Sequence, residues 1–293
     1  MVTGTMSLRQ ALKSGKFVIT AEIGPPKGID VNNLLSNAEL LRGRVDAVNV
    51  TDQQSSIMRL GSLASCVLLK EKGLEPIVQM TCRDRNRIAL QSDLLSAQVL
   101  GMKNILCLTG DYVTLGDHPQ AKPVFDLDSV SLLQAARQLE QGHDLAGKEL
   151  TGSPHFFLGA SVTPGAKPIE PQLIKMEKKV KAGAQFFQTQ AIFEPRKFEQ
   201  FMQQAKNFNA PVLVGIIVLK SANMARFMNK NIGGVYVPET TIEELDKAQD
   251  KTKKGIEITV RLINEMKSMC QGIHIMAIGL EAKVPALIDA AGL

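Results

Sequence analysis

A chain of 293 residues with 44% hydrophobic and 22% charged residues is long enough to bury a large core and too balanced in composition to be disordered. Its formal net charge of +5 is modest, and its lysines are spread along helical stretches, which argues against nucleic acid as a partner and favours small anionic ligands. Cys66, Cys82, Cys107 and Cys270 show no CxxC spacing, so buried thiols in a reducing compartment are expected, with no disulfide and no metal site.

The opening residues, Met1 to Arg9, lack an apolar core behind basic residues and are not expected to act as a signal peptide. No uninterrupted apolar run approaches the ~20 residues of a membrane span, so a cytoplasmic protein is expected. Residues 1–16 form an N-terminal extension. Beyond them, short β-branched or apolar runs alternate with stretches of helical period, at 17–23, 45–50, 75–81, 103–108, 155–161, 184–189, 211–217 and 272–277.

Helical periodicity is clearest over 87–100, 129–139 and 195–208, where Pro195 suits a first turn. Two stretches exceed a minimal connection: a loop over 112–127 and a charged helical insertion over 241–270, ahead of the last run. Eight strand and helix units predict a single α/β domain over 1–293, a (β/α)8 TIM barrel, with no internal repeat and no low-complexity tract.

In that architecture the C-terminal ends of the strands converge on one face, so the residues closing each run are the candidate site. Glu22 is the one carboxylate of the first run, and Pro25 and Pro26 end the ladder just beyond it. Apolar surroundings would suit it to general acid work; a solvated carboxylate paired with a lysine is the alternative. The run ending Leu108-Thr109-Gly110-Asp111 closes in a small residue and an acid, which either lets a planar ligand approach the backbone or simply caps the strand.

Gln188 and Gln190 fall on the same side of the sixth run by period-2 alternation, and amides that both donate and accept suit the edge of a heterocycle. Lys175, Lys178, Lys179 and Lys181 read first as a solvated helix face, with one of them able to reach a phosphate. The sequence carries no P-loop, no GxGxxG fingerprint, no HExxH and no Ser-His-Asp spacing.

Taken in order, Glu22 before Pro25-Pro26, Val50-Thr51-Asp52, Met80-Thr81-Cys82-Arg83-Asp84, Leu108-Thr109-Gly110-Asp111, Lys179-Val180-Lys181-Ala182-Gly183 running into Gln188-Thr189-Gln190, and Gly272-Ile273-His274 resemble the methylenetetrahydrofolate reductase family. The resemblance extends from Phe17 to the C-terminus. It implies a flavin-containing barrel that reduces 5,10-methylenetetrahydrofolate to 5-methyltetrahydrofolate.

On matching positions, the resemblance implies Glu22 as the general acid at folate N10 and Asp111 as a catalytic carboxylate close to flavin and pterin. Gln190, Gln188 and Thr51 would contact the folate. Thr51, Thr81, Leu108, Thr109, Gly110, Asp111, Asp128 and Lys179 would surround the flavin, with Gln79 and Ser161 at positions where the family pattern changes. Many members have a histidine where this chain has Gln79, and a Tyr-Pro-Glu-x-His run where it has Ser161-Val162-Thr163-Pro164-Gly165, so FAD is expected with FMN as the alternative.

After the seventh run the family's aromatic residue is replaced by Val218-Leu219-Lys220-Ser221, and after the eighth its arginine by Ile278-Gly279-Leu280-Glu281. These departures resemble the branch of anaerobic organisms in which a cysteine-rich zinc or iron-sulfur partner subunit supplies electrons. The alternatives are a flavin-free barrel that passes a folate methyl group to a corrinoid protein, and a non-catalytic barrel subunit of a one-carbon complex.

Overall fold

The computed structural model describes residues 6–293; residues 1–5, which open the expected extension and the stretch read as no signal peptide, lie outside the described residues. The strands β1 (Val18–Ile23), β2 (Ala47–Val50), β3 (Pro76–Thr81), β4 (Asn104–Leu108), β5 (Phe157–Val162), β6 (Phe186–Ala191), β7 (Val212–Ile217) and β8 (Gly272–Met276) pair in parallel in chain order. β8 returns to β1, with Thr20 opposite His274, and the sheet closes into an eight-stranded barrel. The fold is the (β/α)8 TIM barrel.

Helix α1 (Leu8–Lys13) precedes β1, and α2 (Asn32–Leu41), α3 (Ser62–Glu71), α4 (Arg87–Val99), α5 (Ser129–Glu140), α6 (Glu170–Lys181) and α7 (Pro195–Ala205) follow the first six strands in turn. Three helices, α8 (Ala222–Asn231), α9 (Glu239–Lys247) and α10 (Lys251–Met266), separate β7 from β8, and α11 (Val284–Ala290) ends the chain. The charged stretch at 241–270 is therefore two helices with a break at 248–250, where the Asp250 side chain accepts the Lys253 N–H and starts α10 afresh. α10 packs on β7 and touches both α7 and α11, so it takes the seventh place in the outer ring, and α8 and α9 are the additional pieces.

Strand alternation divides the core in two. One set of side chains packs outward against the helices, and the other points to the barrel axis. The inward set is apolar at the base: Val18, Ala47, Ile77, Leu106, Phe157, Phe186 and Leu213 form one cluster with Leu8, Ala11 and Leu12 of α1. α1 thus plugs the N-terminal end of the barrel, held at its start by a capping box between Ser7 and Gln10. Phe157 and Phe186 stack at a centroid distance of 4.9 Å. A Cβ at Gly159 would collide with the Phe186 ring, so glycine leaves the space this stack needs.

β5 and β6 begin two residues later than their apolar runs, because Phe156 and Gln185 belong to the connections. The Phe156 N–H is bound by the Glu140 carboxylate, and the Gln185 N–H donates to the Leu158 carbonyl. β6 also runs on to Ala191 through a register irregularity between Gln188 and Ala191, a bulge where the Thr189 hydroxyl accepts the Gly215 N–H. Phe186→Ala should open a cavity at the barrel base and cost about 3–5 kcal/mol, read as a lower urea midpoint.

Candidate active site

Above the apolar base the inward layer turns polar. Asn49 and Gln188 face each other across the axis and exchange both amide hydrogen bonds, at 2.7 and 2.9 Å. The Gln188 Nε2 also approaches the Thr20 hydroxyl at 3.4 Å, and Thr20 Oγ1 lies 3.0 Å from His274 Nδ1. All four side chains are buried, so each depends on these partners in place of water.

Directly over this layer opens a cavity of about 480 Å3 at the C-terminal mouth, within the range of small-ligand sites. Glu22, Asp111 and Gln190 all line it. The two oxygens of Glu22 are held differently. Oε2 receives the Gln79 amide at 3.4 Å and lies 3.8 Å from His274 Nε2, whereas Oε1 receives the Gln54 amide at 3.2 Å.

Gln54 stands in a strained turn: Gln53, Ser55 and Ser56 all have positive φ, the left-handed region that non-glycine residues rarely adopt. This turn reaches both acids. The Ser55 N–H donates to Asp111 Oδ2 at 3.0 Å, one residue after the amide that caps Glu22. Beneath it the buried Arg83 guanidinium donates to the Gln53 and Asp111 carbonyls and pairs with Asp84. Gly110, at φ +99°, brings the fourth mouth against this arginine, where a Cβ would lie 3.0 Å from Arg83 Cβ.

The opposite wall is basic. Lys175, Lys178 and Lys179 of α6 line the cavity, and the buried Lys179 ammonium donates to the Ser161 carbonyl at 2.7 Å. Burial, reinforced by the positive Lys175, pulls its pKa down to about 8. Asp128 caps α5: burial pushes its carboxyl up, but the N–H groups of Ser131 and Val130 and the Ser131 hydroxyl outweigh it and hold the group below the usual carboxylate range. The four cysteines are free and buried, and burial raises each thiol pKa, to about 12 for Cys66 and Cys82. Among the described residues no His, Cys, Asp and Glu cluster could hold a metal ion, and no helix is long and apolar enough to cross a membrane.

A family model described as methylenetetrahydrofolate reductase matches residues 7–292. The chain belongs to this family. Similar curated proteins are methylenetetrahydrofolate reductase 2 of Schizosaccharomyces pombe, 25% identical over 98% of this chain and 47% of that protein, and a probable methylenetetrahydrofolate reductase (NADPH) of Caenorhabditis elegans, 23% identical over 93% and 42%. The chain spans about half the length of the curated relatives it matches. An oxaloacetate acetylhydrolase structure, 12% identical with a TM-score of 0.56 over 97% of this chain and 83% of that one, shares the fold.

Of the residues expected from the family resemblance, the cavity wall also holds Gln79, Thr81, Leu108, Thr109, Gly110, Asp128, Ser161, Lys179 and Gln188. Thr51 is not in that wall. Its hydroxyl is buried and unpartnered, close to Gly24 beneath the first mouth. Thr81 is fixed from behind by Asp52, which accepts both its N–H and its hydroxyl and pairs with Arg85. Residue-type reasoning gave no role to Gln54, Arg83 or His274, although Arg83 and His274 both sit in motifs that carry the family resemblance; their signal is a polar residue at an inward or mouth position. Arg83→Met should release the two carbonyls it holds and speed amide exchange in 53–59 and 111–117 by about 10-fold, equivalent to about 1.4 kcal/mol, measured by hydrogen-deuterium exchange.

Proposed function

We propose that this chain reduces 5,10-methylenetetrahydrofolate to 5-methyltetrahydrofolate with Glu22 as the general acid. The observation that carries the reading is the shared cavity of Glu22, Asp111 and Gln190, opposite a basic wall. A protonated Glu22 gives its proton to folate N10, the bond from N10 to the one-carbon unit breaks, and a cationic carbon is left that accepts a hydride. Asp111 offers that cation a negative charge, and Gln190 donates to and accepts from the pterin edge.

The residues present fit a flavin. Gly110, Thr81 and Gln79 line the wall, and Lys179 is a buried cation with no carboxylate bonded to it among the described residues. When bound, reduced flavin supplies the hydride. Lys179, with Lys175 and Lys178, would hold the phosphate, in FAD or FMN alike, while Asp128 and the N-terminus of α5 flank it. After β7 this chain has Val218-Leu219-Lys220-Ser221 where the family has an aromatic residue for a nicotinamide to stack on, which favours electrons arriving from a partner subunit, with an iron-sulfur centre as the carrier because zinc has no redox chemistry. The protein is proposed to act in the cytoplasm.

Glu22→Gln should leave a yellow, dithionite-bleachable protein whose reduced flavin is no longer reoxidised by 5,10-methylenetetrahydrofolate, followed by single-turnover absorbance; undiminished reoxidation would reject the role. Because the Lys179 ammonium is charged below its pKa of about 8 and neutral above it, flavin affinity should fall as pH rises from 7 to 9. Lys179→Met should bind flavin about 10-fold more weakly and lose that pH dependence, both measurable by calorimetry.

A further inference from the structure

A single turn bridges the two proposed carboxylates. The Gln54 amide donates to Glu22 Oε1 at 3.2 Å, and the next backbone N–H, that of Ser55, donates to Asp111 Oδ2 at 3.0 Å. Gln54 lines the cavity, and the Glu22 side chain is only 11% exposed although it stands at the mouth. Gln79 of β3 meets the other Glu22 oxygen from inside the barrel, so Gln54 is the cover on the mouth side.

The turn is bolted at its ends and not at its middle. The Gln53 amide exchanges hydrogen bonds with the Arg59 backbone at 2.7 and 3.1 Å, and the Gln53 carbonyl accepts from Arg83 at 3.1 Å. At the other end the Ser56 hydroxyl donates to the Tyr112 carbonyl at 2.8 Å, and a Cβ at Gly116 would fall 1.8 Å from the Ser56 carbonyl oxygen, so the fourth mouth packs directly on it. Gln54 and Ser55 between them are exposed, and among the described residues the only side chains that hold them are Glu22 and Asp111. Ser55 stands at φ +55° and ψ +27°, a left-handed conformation that serine rarely adopts, and the two acids keep it there.

We propose that residues 53–56 form a strap across the site: it pivots at Gln53 and Ser56, and its central segment leaves both carboxylates together when a folate enters. Because adjacent residues carry both donors, a ligand that offers a partner to one carboxylate alone leaves the other without its donor, so the strap selects ligands that replace both contacts at once. The apparent affinity for folate is then the intrinsic affinity reduced by the fraction of molecules with the strap open. This inference rests on the reading of Glu22 and Asp111 as the carboxylates that folate meets.

The test reads binding, not turnover. Tetrahydrofolate has no one-carbon unit to exchange, so its titration into the oxidised, flavin-loaded protein by anaerobic calorimetry reports affinity alone. Gln54→Ala frees Glu22 and should tighten tetrahydrofolate binding by about 3- to 10-fold. Ser55→Gly, which suits the left-handed turn, should keep the strap closed and weaken binding by about 3-fold. Ser55→Pro, which offers Asp111 no N–H and fixes φ at about −65°, should tighten it. Both positions are exposed, and none of these changes enters the core.

A fixed wall that simply touches the ligand gives weaker binding in Gln54→Ala and no opposition between glycine and proline at position 55. Weaker or unchanged binding in Gln54→Ala, or changes of the same sign in Ser55→Gly and Ser55→Pro, overturns the proposal. If the unaltered protein binds no tetrahydrofolate, the functional reading falls and the strap with it; if it binds and the variants depart from this pattern, the functional reading stands and the strap alone is lost.

Discussion

Closing eight parallel strands into a ring leaves every second side chain no direction but the axis, and whatever occupies that axis must be packed or paired without water. This chain divides the axis by polarity. Phe157, Phe186 and their neighbours fill the base, the Asn49, Gln188, Thr20 and His274 layer lies above, and the ligand cavity opens over that layer. Glu22 stands over this layer, with Gln79 of β3 and Gln54 of the second mouth bonded to its two oxygens and His274 of β8 beside it.

The cavity combines two electrostatic walls that do not meet in the sequence. Glu22 and Asp111 come from the first and fourth mouths, and the lysines come from the helix after β5. Arg83 and the strained turn at 53–56 tie the second mouth to the fourth, so the acidic side is braced by hydrogen bonds between mouths, whereas the basic side is carried on one turn of α6. Strain concentrated in that turn, next to two carboxylates, follows the general tendency of sparsely populated backbone conformations to gather at working sites.

Much of this arrangement was legible in the residues. Parallel strands buried on both faces read as apolar runs, which is why their number and the mouths they end in could be taken from the chain. The partners of Glu22 could not. Gln79 and His274 reach it from β3 and β8, and only the register of a closed sheet makes them neighbours. Thr51 shows the reverse: its place after β2 suggested the cavity, but the backbone turns as Asp52 is drawn to Thr81 and Arg85, and the hydroxyl ends up under Gly24. The bulge in β6 and the break at Asp250 depend on single side chains that satisfy backbone groups, a detail that hydrophobic period does not carry.

The plug formed by α1 has a kinetic corollary. With Leu8, Ala11 and Leu12 sealing the lower opening, solvent can exchange with the buried amides and the imidazole only from above. A ligand lying across the mouth would then turn the axis into a closed vessel, cut off from bulk solvent at both ends for as long as the ligand stays.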